Sequence, residues 1–149
     1  MRKNQGMPSS KMLFAAILMS LFFVGTSQAQ TALTAFTGKF TLTNQVQWDK
    51  TILQPDDYTI AIESSSMPTF ALLTDSKGRA VARFVSVIDG GQRGFGNALL
   101  LHEKGGQPHV YALALAGLGR FLVYDPALAR EAVMEARSPQ TVPVILAKR

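Results

Sequence analysis

Over residues 39–48 (KFTLTNQVQW) the chain alternates. Phe40, Leu42, Val46 and Trp48 fall on one face, and Thr41, Thr43, Gln45 and Gln47 on the other. A period of two is that of a half-buried strand. Asn44 interrupts the apolar face and marks a bulge or a strand end. Asp49-Lys50 turns the chain, Ile52-Leu53 leads to a second break at 54–57 (QPDD), and alternation resumes over 58–63 with Tyr58, Ile60 and Ile62 inward. Beyond the polar loop 64–68 (SSSMP), the pattern predicts a strand over 69–74, a turn ending at Gly78 and a returning strand over 80–87.

The longest glycine-rich stretch, 89–96 (DGGQRGFG), reads as a loop and leads into a strand over 97–103. Gly105-Gly106 between apolar strands is a two-residue hairpin signal that sets the register: Lys104 opposes Gln107, Glu103 opposes Pro108, and His102 opposes His109. Strict alternation then places Ala98, Leu100, His102, His109, Tyr111, Leu113 and Leu115 on one face, and Leu99, Leu101, Val110, Ala112 and Ala114 on the other. Both faces are apolar, as in strands covered on both sides. After a turn at 117–119, residues 120–124 read as a strand. The one convincing helix is predicted over 125–137, with Asp125 as N-cap, Pro126 at the first helical position, and Leu128, Ala129, Ala132, Val133 and Ala136 on its apolar face. Small side chains at Ala112 and Ala114 would let this helix approach the sheet closely. Ser138-Pro139 stops it, and 142–147 reads as a last strand that Pro143 assigns to an edge.

Many short strands and one late helix predict a mainly β fold: an antiparallel β-sandwich or a small partly open barrel with one C-terminal helix. The organisation expected is a leader over 1–29, a flexible lead-in over 30–38 and a single β-rich domain over 39–149.

The leader rests on a different pattern. Arg2, Lys3 and Lys11 precede fourteen uncharged, mostly apolar residues (12–25), and Ser27-Gln28-Ala29 offers small residues at −3 and −1. This is the layout of a secretory signal peptide cut between Ala29 and Gln30. The competing reading is an uncleaved membrane anchor, but fourteen residues fall short of the roughly 20 that span a bilayer; nothing beyond residue 30 is apolar for long enough, so no transmembrane segment is expected after cleavage. The expected location is secreted or periplasmic. Without a cysteine there is neither a lipid-modified N-terminus nor a disulfide. Cleavage removes three of the fifteen basic residues and no acidic one, lowering the formal charge from +5 to +2. A small, dispersed excess gives no concentrated field for a phosphate backbone, so nucleic acid is not an expected partner.

Candidate chemistry is sparse. His102 and His109, the only two histidines, would face each other across the hairpin as a possible metal pair. Zinc needs a third ligand, and Glu103 points to the other face, so a solvated pair is the plainer reading. The 90–96 loop matches neither GxxxxGK[ST] nor GxGxxG, which leaves Arg93 and Phe95 as candidate residues of a binding loop rather than a phosphate cradle. No GxSxG elbow surrounds Ser64, Ser65 or Ser66. Asp56 and Asp57 are adjacent in a turn, unlike a glycosidase pair on opposite sides of a sugar. Trp48, Tyr58 and Tyr111 sit in the apolar register of their strands, which suits a core better than a sugar platform. No catalytic residue and no cofactor is assigned.

The segment 48–60 (WDKTILQPDDYTI) resembles a pattern of small bacterial exported β-domains, in which a tryptophan-ended strand is followed by L-P-x-G-x-Y. Leu53, Pro55 and Tyr58 match, an extra Gln54 separates Leu53 from Pro55, and Asp57 stands where glycine is usual. The resemblance implies an exported β-domain and transfers no active site. The expectation is a non-enzymatic binding or structural component of the cell envelope, partnered by an envelope protein or a glycan. The main rival is a carrier with a small apolar ligand inside the barrel, and a third class is a metal-dependent or serine hydrolase.

Overall fold

A computed structural model describes residues 34–135 and 137–147. The leader and the cleavage position Ala29–Gln30 lie outside the described residues. The fold is mainly β, with two sheets and one helix near the C-terminus.

In chain order the strands are β1 (Phe36–Leu42), β2 (Val46–Trp48), β3 (Thr51–Leu53), β4 (Asp56–Ile62), β5 (Thr69–Thr74), β6 (Ala80–Ser86), β7 (Ile88–Asp89), β8 (Ala98–Lys104), β9 (Gln107–Leu115) and β10 (Arg120–Val123). The helix α1 (Pro126–Met134) and the short strands β11 (Gln140–Pro143) and β12 (Ile145–Leu146) follow. One sheet has the order β12-β1-β4-β5-β6 and the other β11-β8-β9-β10-β7, with the β2–β3 hairpin joined to β9.

The sheets meet at two bent strands. Only Val87 separates β6 from β7, and only Val144 separates β11 from β12, so the circle of strand neighbours closes. Bends of this kind let a strand leave one sheet for the other at a sandwich corner. At the first corner the Ser86 hydroxyl lies 2.8 Å from the Val123 carbonyl oxygen and 3.0 Å from that of Ile88. At the second, Val144 N–H donates to Asn97 O at 2.8 Å while its side chain is buried. The same step overtakes two sequence expectations. The last strand is two short ones facing different neighbours, and Asp89 belongs to β7 before the glycine loop begins.

A further expectation is revised at the first strand. β1 begins at Phe36, inside the expected lead-in, because Phe36 is buried in the core and pairs with Ile62. It ends at Leu42, so the break at Asn44 is a strand end, and what the alternation through Trp48 did not show is that the chain there crosses to the second sheet as β2.

Between the sheets lies a packed core. Trp48, Leu53, Ile60, Ile62, Leu73, Leu99, Leu113, Leu115 and Leu122 are each under 2% exposed. Trp48 is stacked on Phe84 with ring centroids 4.2 Å apart and meets Tyr124 edge-on at 5.0 Å. Tyr58 is buried in the same core, so neither aromatic is part of a surface platform.

The Gly105-Gly106 turn holds the predicted register, with Lys104 opposite Gln107 and His102 opposite His109. Both glycines have positive φ, 61° and 79°, as a tight two-residue turn requires. Farther along, the register shifts. Leu101 pairs with Val110 but Leu100 pairs with Ala112, leaving Tyr111 as an extra residue in β9. The bulge corrects the expected faces: Leu113 and Leu115 join Leu99, Leu101 and Val110 in the core. Tyr111, Ala112 and Ala114 join Leu100 on the outside, beneath α1.

Candidate functional site

The outer face of the second sheet is where the glycine loop, α1 and the segment after α1 converge. α1 starts as the sequence predicts: Asp125 Oδ1 accepts from Leu128 N at 3.0 Å, with Pro126 in the first turn. Leu128 is its one buried residue and packs with Leu100, Ala112, Ala114 and Phe121. Ala129 and Ala132 are partly buried against the same cluster, while Val133 is 78% exposed. The helix ends at Met134, short of the expected Arg137. Pro139 has no N–H to continue the ladder and disfavours helical geometry at Ser138.

The loop forms the facing wall. Gly90 N–H donates to Phe121 O at 2.8 Å, anchoring the loop to β10. A side chain at Gly90 would meet the Phe121 ring at 3.2 Å and the Arg93 guanidine at 3.4 Å, so glycine makes room for both. Arg93 Nε donates to Gly90 O at 3.3 Å, and its guanidinium lies 5.5 Å from the Phe121 ring centroid. Phe95 packs against Phe121 with centroids 6.0 Å apart.

Between these walls runs a half-open groove of about 520 Å³. Tyr111, Phe121 and Val123 line it from the sheet, Ala129, Ala132 and Val133 from the helix, Arg93 and Phe95 from the loop. Arg137, Ser138 and Pro139 complete the lining. A mostly apolar lining with a few polar groups is what binding sites of this size share. Tyr111 is 5% exposed, and its hydroxyl has no hydrogen-bond partner among the described residues. Burial pushes its phenol above the ordinary range, so at neutral pH it is a hydrogen-bond donor.

A larger groove of about 610 Å³ lies on the other sheet, along Lys39, Thr41, Asp57, Thr59, Thr74 and Asp75. Several of its polar groups are already engaged: Thr41 Oγ1 donates to Asp57 Oδ1 at 2.6 Å, and Asp75 is paired with Arg79 at 2.7 Å. It is the weaker candidate.

The groove thus unites Arg93 and Phe95 with Tyr111, Phe121, Val133 and Arg137, which sequence reasoning had not brought together. The sequence pattern marks Tyr111 as a strand residue on the face of Leu113 and Val133 as part of the helix's apolar face, and gives no sign of Phe121 or Arg137 as lining residues. His102 and His109 are cross-strand partners as predicted, outside this groove, with His102 Nε2 3.8 Å from Glu135 Oε1. Among the described residues, no three His, Cys, Asp or Glu side chains gather into a metal-binding group. Ser64 and Ser66 hydroxyls lie 2.8 Å from each other, and neither histidine bonds a serine among the described residues. No described helix is long and apolar enough to cross a membrane.

No protein-family model, curated protein or solved structure matches the chain.

Proposed function

We propose that this chain is an exported, non-enzymatic binding module that holds an apolar segment of a partner protein in the groove between α1 and the 90–96 loop. The observation that carries the reading is the groove itself, an accessible apolar recess outside a core filled by Trp48, Leu53, Ile60, Leu113 and Leu122. A ligand carried inside the barrel would need the volume these side chains occupy. A glycan is a poorer fit than a protein segment, because sugars need many hydrogen-bonding groups and the lining offers mainly Phe, Val and Ala. The charged leader followed by an apolar run supports export.

Export has a direct test. Expressed with its leader in a Gram-negative host, the chain should be released by osmotic shock with Gln30 at its N-terminus. Retention in the membrane fraction with an intact leader would overturn it.

The groove has its own. The processed chain should enhance the fluorescence of 1-anilinonaphthalene-8-sulfonate, and Val133→Gln should weaken dye binding by about fivefold, near the worth of one exposed aliphatic contact. Val133 is mostly exposed, so the substitution leaves packing intact. A Val85→Gln control on the other sheet should bind as the parent does. Equal dye binding by the Val133→Gln variant would remove the groove from consideration.

A further inference from the structure

Two cations line this groove without an acidic partner. Arg79, Arg83 and Arg120 each pair with a carboxylate, at Asp75, Glu63 and Asp89. Arg93, Arg130 and Arg137 meet none among the described residues, and of these Arg93 and Arg137 line the groove. Residues 1–33, 136 and 148–149 contain no Asp or Glu, so no acidic side chain there is free to reach them. Arg93 is held in place by Gly90 O and the Phe121 ring, which leaves the rest of its guanidinium fork unused. The Tyr111 hydroxyl adds a third donor, without an acceptor among the described residues, in the same groove.

Donors gathered around an apolar recess select for an occupant that brings acceptors. A guanidinium is matched best by the two oxygens of a carboxylate, and beside an apolar surface such a pair is less screened than in open water.

Resting on the binding-module reading above, we infer that the groove is specific for an acidic-apolar segment of a partner protein. An aromatic or aliphatic side chain lies against Phe121, Phe95 and Val133, and neighbouring Asp or Glu carboxylates accept from Arg93, Arg137 and the Tyr111 hydroxyl. The apolar contact supplies affinity. The carboxylates supply selection, since a neutral or basic segment leaves three donors unanswered.

The test is selection of displayed random heptapeptides on the processed chain, followed by affinity measurement against variants. Enriched peptides should carry Asp or Glu within two positions of Phe, Trp, Leu, Ile or Met. Their affinity should fall about tenfold or more on an Arg93→Gln/Arg137→Gln double variant, and should decline as salt rises. The double variant should keep the parent's melting temperature to within a few degrees, since neither arginine bonds a carboxylate among the described residues.

Other outcomes separate the two claims. Peptides without acidic residues, bound equally by the double variant but weakened by Val133→Gln, would overturn the acidic specificity and keep the groove. Peptides indifferent to all three substitutions would overturn the groove as well. Laurate binding that needs both arginines, with no groove-dependent peptide recovered, would assign the site to a lipid and overturn a protein occupant.

Discussion

Replacing Trp48 by alanine is expected to destabilise the domain by about 4 kcal/mol, toward the upper end for a large aromatic removed from a core. Trp48 is fully buried, parallel to the Phe84 ring and edge-on to Tyr124. It joins the β2–β3 hairpin to both sheets, so its loss opens a void where three elements meet. For a domain of this size the melting temperature should fall by on the order of 15 °C. Trp48→Phe should lose less than half as much. The phenyl ring keeps the stack on Phe84, and the substitution removes an indole N–H that is buried without a hydrogen-bond partner among the described residues. Because Trp48 is the only tryptophan, unfolding is best followed by circular dichroism or calorimetry. A Trp48→Ala variant within 1 kcal/mol of the parent would show that the hairpin contributes little to the core.

Arg120 is the second position where one substitution should have a large effect. It donates from Nε to Asp89 Oδ2 at 2.8 Å, from Nη1 to Ser65 O at 2.7 Å and from Nη2 to Met67 Sδ at 2.8 Å. Asp89 also accepts from Gly91 N at 2.9 Å and Phe121 N at 3.1 Å. One guanidinium therefore ties the 64–68 loop to β7 and β10. Arg120 is only 10% exposed and Asp89 27%, so Arg120→Ala should cost about 2–3 kcal/mol, below the value for a fully buried pair. Lysine should restore only part of this, since it lacks the planar fork.

The same contact predicts an acid sensitivity. Partial burial alone would push the Asp89 carboxyl up. The Arg120 guanidinium and the Gly91 and Phe121 N–H groups outweigh it and hold the group below its ordinary 3.8. A carboxyl lowered on folding stabilises fully above its unfolded value, and that stabilisation is lost as pH falls through the folded one. The parent should lose stability below about pH 4, and Asp89→Asn should flatten this part of the profile at the cost of lower stability at pH 7. Denaturant titrations at pH 3 and pH 7 read both effects. Parallel pH profiles for the two proteins would contradict the assignment.

What could be read from the chain was local. Gly105-Gly106 announced its turn because few other residues adopt positive φ twice in succession, and Asp125-Pro126 announced α1 because both residues favour a helix start. The β4 strand was legible from alternation, β5 from the loop and turn that bound it, and Arg93 and Phe95 from the composition of their loop. The bulge at Tyr111 was hidden, since one extra residue in a strand apolar on both faces leaves no break in the pattern. The pairing of Ile88 and Asp89 with β10 was hidden too, as a partner more than thirty residues away has no signature in a two-residue strand. The groove was only partly visible because it is assembled from four stretches of chain. Phe121 and Val133 read as ordinary core residues until the sheet, helix and loop are brought together.

Tyr111 also sets how this region tolerates change in length. Because it is the one surplus residue between the hairpin turn and the end of β9, deleting it would invert the strand beyond that point. Leu113 and Leu115 would be driven against α1, and Ala112 and Ala114 into the space between the sheets. Substitution at Tyr111 keeps that register and changes the groove lining together with the local packing on Leu100 and Phe121. Spacing from Gly106 to Leu115 is therefore under a tighter constraint than composition, and this strand can vary in its letters far more freely than in their number.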